Sequence, residues 1–193
     1  GQRCSSTKRI IIQPEIKNEF LKKFKNIAEN LKVGDPKDLS TDIGTVIDTD
    51  AAKVIERRIN DALKEGAKII IGGKRINAQI YPTILDNVNM QMEIVAEETF
   101  GPVAPIITVD SFSRAIDVVN STSFGLNSAL ISNNHKHINQ FIKNVITGGI
   151  RINEASSFRN EMLPYGGTKI SGYGRGGIRY AMKEMSNLKT ILM

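Results

Sequence analysis

The sequence has little of several residue types: it contains no tryptophan, two histidines and a single cysteine among 193 residues. The one cysteine, Cys4, excludes a disulfide within the chain and any metal site built from several cysteines. His135 and His137 have no cysteine or acidic cluster at ligand spacing, so we interpret both as surface histidines and predict no metal site. The longest apolar runs, such as Ile10–Ile12, are too short to span a bilayer.

A recognisable secretion signal is also missing. Residues 1–30 have no apolar core followed by small residues, which is the pattern such a signal requires. With so little cysteine, we expect a cytoplasmic protein. A hydrophobic content of 40% and a charged content of 24% are normal for a folded chain, and they exclude a disordered tail, a collagen-like repeat and a coiled coil. The length suits one ordinary globular domain.

Positive charge is in excess, with 26 basic residues against 20 acidic residues and a net charge of +6. Such an excess raises the hypothesis of a nucleic-acid or acidic ligand. The basic residues are nevertheless spread along the chain, and the densest group, between Lys17 and Lys25, is interleaved with Glu19, Phe20 and Phe24. We predict a solvated basic face, with no nucleic-acid partner and no membrane partner. Attraction for small anionic substrates stays open.

Strand-like and helix-like segments alternate along the chain. Short β-branched and apolar runs predict strands at 9–13, 68–71, 81–85, 103–109, 128–131, 149–153 and 188–193. Helical spacing and end signals predict helices from Pro14 to about residue 33 and at 49–65, 113–121, 134–144 and 179–185. This alternation predicts an α/β fold with an open, mostly parallel twisted sheet and flanking helices.

Four finer predictions concern burial and helix ends. The first helix is expected to bury an apolar row made up of Ile16, Phe20, Phe24, Ile27 and Leu31. The second helix should bury Ala52, Ile55, Ile59 and Leu63. The segment 68–71 is predicted to be a buried strand. Ser113 is the expected N-cap of the helix over 113–121.

Two short motifs allow both a functional and a structural interpretation. Cys4 lies among polar residues beside Arg3, whose charge favours a thiolate, although an isolated cysteine is more often an inert apolar residue. Residues 172–177 form a G-x-G-x-x-G sequence, but no convincing strand precedes it and too few residues follow for a dinucleotide-binding unit. We interpret residues 172–177 as a turn-rich loop.

A third motif pairs two acidic residues with an aromatic residue and a turn. Glu97 and Glu98 precede Phe100, and a Gly-Pro turn at 101–102 then leads into the strand predicted from Val103. Adjacent acidic residues are usually just solvated. Because the turn fixes a sharp entry into the strand, we expect Glu98 and Phe100 to be held firmly at the edge of the sheet.

Three motifs together resemble the aldehyde dehydrogenase superfamily: residues 1–4 (Gly-Gln-Arg-Cys), 97–103 and 164–175, in the family's order and roughly at its spacing. The resemblance covers the whole chain. It is nearest in pattern to lactaldehyde, non-phosphorylating glyceraldehyde-3-phosphate and phosphonoacetaldehyde dehydrogenases. It implies that Cys4 is the catalytic nucleophile, that Glu98 binds the nicotinamide-ribose hydroxyls of the cofactor and that Phe100 packs against the nicotinamide.

The resemblance also implies how much of such an enzyme this chain represents. Family members are much longer, and their water-activating glutamate, their oxyanion-binding asparagine and most of their cofactor domain precede the cysteine. We therefore expect residues 1–185 to be the catalytic domain and residues 186–193 to be an oligomerisation strand. NAD or NADP is expected to bind mainly to the missing N-terminal domain. The full-length enzyme is expected to be a homodimer or homotetramer, and the isolated chain to be inactive.

By the same resemblance, the Cys4 thiolate attacks an aldehyde to give a thiohemiacetal, a hydride leaves to NAD or NADP, and water hydrolyses the resulting thioester. Arg3 and Arg159 are informative for the substrate, because an arginine suits a carboxylate or phosphate group. Their pattern is similar to that of the branch acting on small, mostly anionic aldehydes: lactaldehyde, glyceraldehyde-3-phosphate, phosphonoacetaldehyde or succinate semialdehyde. The alternative is that Arg3 faces away and that Arg159 is a surface loop residue.

Two non-enzyme alternatives stay open at this point. The chain could be a non-catalytic remnant or assembly module that docks through its last strand, or a basic domain that binds nucleic acid. Partner binding that does not depend on Cys4 favours the first alternative. Steeply salt-dependent binding to DNA or RNA favours the second.

Overall fold

A computed structural model describes residues 1–193 and divides them into two compact units, Gly1–Val118 and Val119–Met193. The division falls within one helix, α4 (Phe112–Asn120). The elements before it are β1 (Ile10–Ile12), α1 (Pro14–Glu29), α2 (Thr49–Lys64), β2 (Lys68–Ile71), β3 (Arg75–Ile76), β4 (Gln79–Ile80), β5 (Thr83–Asp86), α3 (Glu93–Ala96) and β6 (Val103–Thr108). The elements after it are β7 (Asn127–Leu130), α5 (His135–Asn144), β8 (Gly149–Ile152), a 3-10 helix (Lys169–Ser171) and α6 (Ile178–Glu184).

A four-stranded sheet in the order β1-β6-β5-β2 organises the first unit. β1, β6 and β5 run parallel, whereas β2 lies antiparallel at one edge. β3 pairs with β4 in a separate antiparallel ribbon, and in the second unit β7 pairs with β8 in parallel. The predicted mixed α/β fold with mostly parallel pairing is confirmed, and the strands are distributed over three sheets.

Helices cover both faces of the four-stranded sheet, because neighbouring residues of a strand point to opposite faces. Leu85 and Ile107 belong to a large core cluster with α2, while Ile84 and Ile106 belong to a smaller cluster with α1. Completely burying one such side chain stabilises the fold by ~1.5–3 kcal/mol. The central strands β5 and β6 are therefore packed on both faces, and the loops that flank them are attached to a stable core.

The apolar face of α2 agrees with the prediction at three of four positions, and that of α1 at two of five. Ala52, Ile55 and Ile59 are buried in the core as expected, whereas Leu63 is only partly buried and Ala62 is buried instead. In α1, however, Ile16 and Ile27 are 58% and 62% exposed. Phe20 and Phe24 of the predicted row do pack on the sheet, together with Leu21 and Ala28. Leu31 is exposed and lies beyond the end of the helix. The packed row therefore continues from Phe24 to the small Ala28 rather than to Ile27.

Two further local predictions need correction. β2 is not a buried strand, because it forms the sheet edge and leaves Lys68 and Ile69 exposed. Ser113 is not the N-cap of α4, because the helix already begins at Phe112. The hydroxyl of Ser111 accepts a hydrogen bond from the backbone N–H of Arg114 (3.2 Å), so Ser111 occupies the capping position.

Residues 188–193 form no strand in this structure, and all six are exposed. A strand requires a hydrogen-bonding neighbour, and none pairs with this segment within the chain. Its predicted pairing with a neighbouring subunit stays a prediction, as does the predicted catalytic domain over residues 1–185. No helix of the protein combines the length and the apolar character needed to cross a membrane.

Candidate active site

The loop that carries Cys4 precedes β1 and is fixed at several points. The backbone N–H of Ser6 donates to the carbonyl of Arg3 (3.1 Å), which closes a turn around Cys4. The side-chain amide of Gln2 donates to the carbonyl of Thr45 (3.1 Å). Cys4 itself is exposed. The loop is therefore held in place while its thiol stays accessible to a small molecule.

The segment that carries Glu98 and Phe100 lies immediately before β6. Because β1 and β6 are parallel neighbours, the segments before them meet at the same edge of the sheet. Gly1 and Gly101 illustrate the contact: a Cβ atom placed on Gly1 would lie 1.8 Å from the carbonyl oxygen of Gly101. The sheet topology thus brings the Cys4 loop beside the Glu98–Phe100 segment, although 94 residues separate Cys4 from Glu98 in sequence.

Lys8 connects these two segments directly. Its Nζ donates to the carbonyl of Gly1 (2.7 Å) and to the carbonyl of Thr99 (3.4 Å). The same ammonium group lies 4.2 Å from the centroid of the Phe100 ring, within cation–π range. Burial lowers the pKa of Lys8, while the charges of Glu98 and Cys4 oppose that shift. One cation therefore interacts with both sides of the candidate site.

A second basic residue, Arg58 on α2, holds the Glu98–Phe100 segment from the other side. Its Nη1 donates to the carbonyl of Glu98 (2.8 Å) and to the hydroxyl of Thr99 (3.3 Å). Thr99 is buried, whereas Glu98 and Phe100 are exposed. The backbone is consequently anchored, and the side chains of Glu98 and Phe100 remain available at the surface.

Arg58 is oriented in turn by Glu93, the first residue of α3. Its Nε donates to Glu93 (2.8 Å), and the neighbouring Arg57 binds both oxygens of the same carboxylate at 2.7 Å. Hydrogen bonds from Arg57 and Arg58 lower the pKa of Glu93 to about 2. Glu93 therefore stays ionised at neutral pH and keeps the Arg58 guanidinium directed at the Glu98 carbonyl.

The two arginines predicted to select the substrate lie in different units. Arg3 is exposed next to Cys4 in the first unit. Arg159 belongs to the second unit, where its Nη2 lies 3.0 Å from a carboxylate oxygen of Glu161. The Arg159 guanidinium also stacks 4.6 Å from the ring centroid of Tyr165. A substrate anion at Arg159 would therefore compete with the Glu161 carboxylate.

The glycine-rich residues 172–177 form a loop, as the sequence indicates. A 3-10 helix at Lys169–Ser171, rather than a strand, precedes them, and Gly176 forms an isolated antiparallel bridge with Tyr165. Gly172, Gly174 and Gly177 have positive φ values, which a glycine adopts readily. The interpretation of this motif as a turn-rich loop is confirmed.

Cys4, Glu98 and Phe100 can be found from sequence motifs, whereas Lys8 and Arg58 cannot. Lys8 bonds to the carbonyl of Thr99, 91 residues away, and Arg58 bonds to the carbonyl of Glu98, 40 residues away. A backbone acceptor leaves no trace in the sequence. The only available signal for Lys8 is its position four residues after Cys4, directly before a strand.

Comparison with known proteins gives a consistent result. Residues 1–191 match the model of the aldehyde dehydrogenase family. Over its whole length the chain is 42% identical to the lactaldehyde dehydrogenase of Methanocaldococcus jannaschii, and the match covers 41% of that protein. It is 39% identical to the 3-sulfolactaldehyde dehydrogenase of Priestia megaterium, and the match covers 40% of that protein. The chain thus spans about two fifths of the length of the curated relatives it matches.

Solved structures show the same likeness in three dimensions. Glyceraldehyde-3-phosphate dehydrogenase GapN of Methanocaldococcus jannaschii, in complex with NADP, is 43% identical with a TM-score of 0.94 over 98% of this chain and 41% of that chain. Aldehyde dehydrogenase 21 of Physcomitrella patens, in complex with succinate, is 32% identical with a TM-score of 0.92 over 95% of this chain and 38% of that chain. The predicted resemblance to lactaldehyde and glyceraldehyde-3-phosphate dehydrogenases is confirmed, and the chain belongs to the aldehyde dehydrogenase family.

Proposed function

We propose that this chain is the catalytic-domain portion of an NAD(P)-dependent enzyme that oxidises a small anionic aldehyde to its carboxylic acid. The observation that carries the proposal is the meeting of an exposed cysteine loop with the Glu98–Phe100 segment at one edge of the sheet, joined by Lys8. Family membership supplies the reaction type. The residues below supply the positions at which that reaction takes place.

Cys4 is the proposed nucleophile. Its thiolate sulfur forms a bond to the aldehyde carbon, and the carbonyl electron pair becomes an oxyanion that the Cys4 backbone N–H stabilises. Collapse of the oxyanion with departure of the aldehyde hydrogen as hydride leaves a thioester on Cys4. Water then attacks the thioester carbon, its proton passes to a general base that the resemblance places before the cysteine, and the Cys4 thiolate leaves as the acid is released. Sulfur suits the hydrolysis step because a thioester keeps its acyl carbon electrophilic and the thiolate leaves readily.

Glu98 and Phe100 are the residues of this chain proposed to hold the nicotinamide end of the cofactor. The exposed Glu98 carboxylate can accept hydrogen bonds from two ribose hydroxyls. The Phe100 side chain is 41% exposed and offers an aromatic face to a planar ring. Both therefore fit the group, which when bound supplies the acceptor for the hydride.

An anionic substrate is supported by Arg3, next to the nucleophile, and by Arg159. The names of several relatives include a sulfonated aldehyde: 3-sulfolactaldehyde in Priestia megaterium and sulfoacetaldehyde in Neptuniibacter caesariensis. A sulfonate, like a phosphate or carboxylate, accepts charge-assisted hydrogen bonds from a guanidinium group. Lactaldehyde, named for other relatives, carries no charge and serves as the neutral comparison.

Production of NADH or NADPH by two forms of the protein tests this proposal. The full-length enzyme that contains this chain is expected to oxidise 3-sulfolactaldehyde, glyceraldehyde-3-phosphate or lactaldehyde. Residues 1–193 alone are expected to give no turnover, since the deacylating base and much of the cofactor site are expected in the preceding segment. Turnover by residues 1–193 alone would contradict the expected division of labour. A correctly assembled but inactive full-length protein would favour the assembly-module alternative instead.

A further inference from the structure

We propose that Lys8 is a positioning residue of the active site: its ammonium group fixes the Glu98–Phe100 segment against the Cys4 loop and keeps a positive charge beside the nucleophile. This inference rests on the proposed function and deepens it. It assigns a role to a residue that the sequence analysis does not single out. The two effects, fastening and charge, can be measured separately.

The geometry of Lys8 supports the fastening role. Its two hydrogen-bond acceptors, the carbonyls of Gly1 and Thr99, lie on the two segments that form the site. The Phe100 ring provides a third contact at 4.2 Å. Three contacts around one ammonium group fix its position, and they also restrict the orientation of the Phe100 ring. Preorganising a binding surface in this way lowers the entropy lost when a ligand binds.

Arg58 shows why Lys8 matters in particular. Arg58 holds the same segment through Glu98 and Thr99, and it ties that segment to Glu93 of α3. Lys8 instead bonds to both the Cys4 loop and the Thr99 backbone. Without Lys8, the Glu98–Phe100 segment would remain attached to α2 while its tie to the nucleophile loop would be weakened.

The surroundings of Lys8 support the charge role. Lys8 is half-buried, and burial of an ammonium group disfavours its charged form. The negative charges of Glu98 and Cys4 oppose this effect on the pKa of Lys8. Because Lys8 contacts the carbonyl of Gly1 in the Cys4 loop, its cation attracts small anions that approach that loop.

Three variants of the full-length enzyme test these effects, and two readouts distinguish them. Lys8→Met keeps a long unbranched side chain but removes the charge and the donors. Lys8→Arg keeps both the charge and donor groups. Lys22→Met is the matched control, because Lys22 is an exposed lysine of α1 whose loss changes the net charge equally. Thermal unfolding of each variant identifies any general loss of stability.

Two readouts do not require turnover. The first is the Kd for NADPH and NADH, measured by fluorescence titration. The second is the ratio of Cys4 alkylation rates by iodoacetate, which is anionic, and iodoacetamide, which is neutral, followed by peptide mass spectrometry. The ratio cancels changes in the general accessibility of the thiol, so it responds to the local charge.

Lys8→Met is expected to weaken NAD(P)H binding by about tenfold, the size of one lost charge-assisted hydrogen bond. It should also lower the iodoacetate-to-iodoacetamide ratio by about two- to fivefold, as one charge near an exposed site would. Lys8→Arg should keep the ratio and recover most of the affinity, and Lys22→Met should change neither. An unchanged Kd and an unchanged ratio in Lys8→Met would overturn the inference.

The outcomes also separate this inference from the proposed function. If the enzyme is active but Lys8→Met changes neither the cofactor affinity nor the alkylation ratio, the proposed function stands and the inference about Lys8 is wrong. An enzyme without aldehyde oxidation removes the proposed function, while both readouts still decide the role of Lys8. If Lys8→Met does not fold, a loss of affinity and ratio in the folded Lys8→Arg variant contradicts the inference.

Discussion

At the scale of single residues, we propose that Arg159 selects the aldehyde that the full-length enzyme prefers. Its guanidinium is paired with Glu161 at 3.0 Å, yet the Arg159 side chain is still 43% exposed. An exposed ion pair of this kind contributes little to stability. The pair can therefore be exchanged for an interaction with a substrate anion at small cost to the fold.

Arg159→Ala in the full-length enzyme should lower kcat/KM for 3-sulfolactaldehyde and glyceraldehyde-3-phosphate by about ten- to a hundredfold. The loss should spare lactaldehyde and propanal, because neither carries a charge for the guanidinium to bind. Steady-state kinetics with all four aldehydes provides the measurement. Glu161→Gln is the matched control, and it should preserve or raise kcat/KM for the anionic aldehydes. Equal losses on charged and neutral substrates would show that Arg159 is structural.

Some residues of the candidate site can be predicted from the sequence, and others cannot. Cys4, Glu98 and Phe100 are detectable because their residue types recur in motifs of fixed order. Lys8 and Arg58 are not, because each acts on backbone carbonyls that any residue could supply. The ion pair between Arg159 and Glu161 joins residues two apart in an irregular loop, where no periodic pattern predicts which side chains meet.

At the scale of secondary-structure elements, the contact between α2 and α3 positions the segment that carries Glu98. Arg57 and Arg58 are consecutive on α2 and share the Glu93 carboxylate, and Arg58 also donates to the carbonyl of Glu98. The Arg58 side chain is 14% exposed, against 51% for Arg57. The two arginines thus form a matched pair: Arg58 anchors the segment that carries Glu98, whereas Arg57 makes ion pairs at the surface.

Arg58→Met should lower the free energy of unfolding by about 1.5–3 kcal/mol, because it removes donors from the Glu98 carbonyl and the buried Thr99 hydroxyl. It should also raise KM for NAD(P) more than KM for the aldehyde. Arg57→Met should change both quantities little, since its ion pairs are exposed. Chemical denaturation and steady-state kinetics of both variants test this. Similar effects of the two substitutions would mean that the Glu93 ion pair, rather than the bond to Glu98, supports the segment.

Most elements could be predicted from the sequence, and the misses have physical causes. Pro14 marks the predicted start of α1 because proline suits a first helical turn. The structure shows that Asp48 caps α2, since its side chain accepts a hydrogen bond from the Ala51 N–H (2.7 Å). Local rules do not predict which apolar residues of α1 are buried, because tertiary packing decides which face of the helix contacts the sheet. β2 is as apolar as a central strand, and only the strand order places it at the edge.

At the scale of the whole molecule, the chain represents about two fifths of its curated relatives. The parallel pairing of β1 with β6 places the Cys4 loop beside the Glu98–Phe100 segment. We expect the remaining cofactor surface, the oxyanion-binding asparagine and the water-activating glutamate to lie outside this chain. The central claim is therefore a proposal about one residue of this chain: Cys4 acts as the covalent nucleophile.

The most direct test of that claim is to locate the acyl group during turnover. The full-length enzyme is mixed with lactaldehyde and NAD or NADP, quenched in acid within milliseconds to seconds, digested and mapped by mass spectrometry. We predict a mass increase of one lactoyl group on the peptide that contains Cys4, and its absence in Cys4→Ser together with loss of NAD(P)H production. Undiminished aldehyde oxidation by Cys4→Ala, or an acyl group on any other residue, would contradict the account.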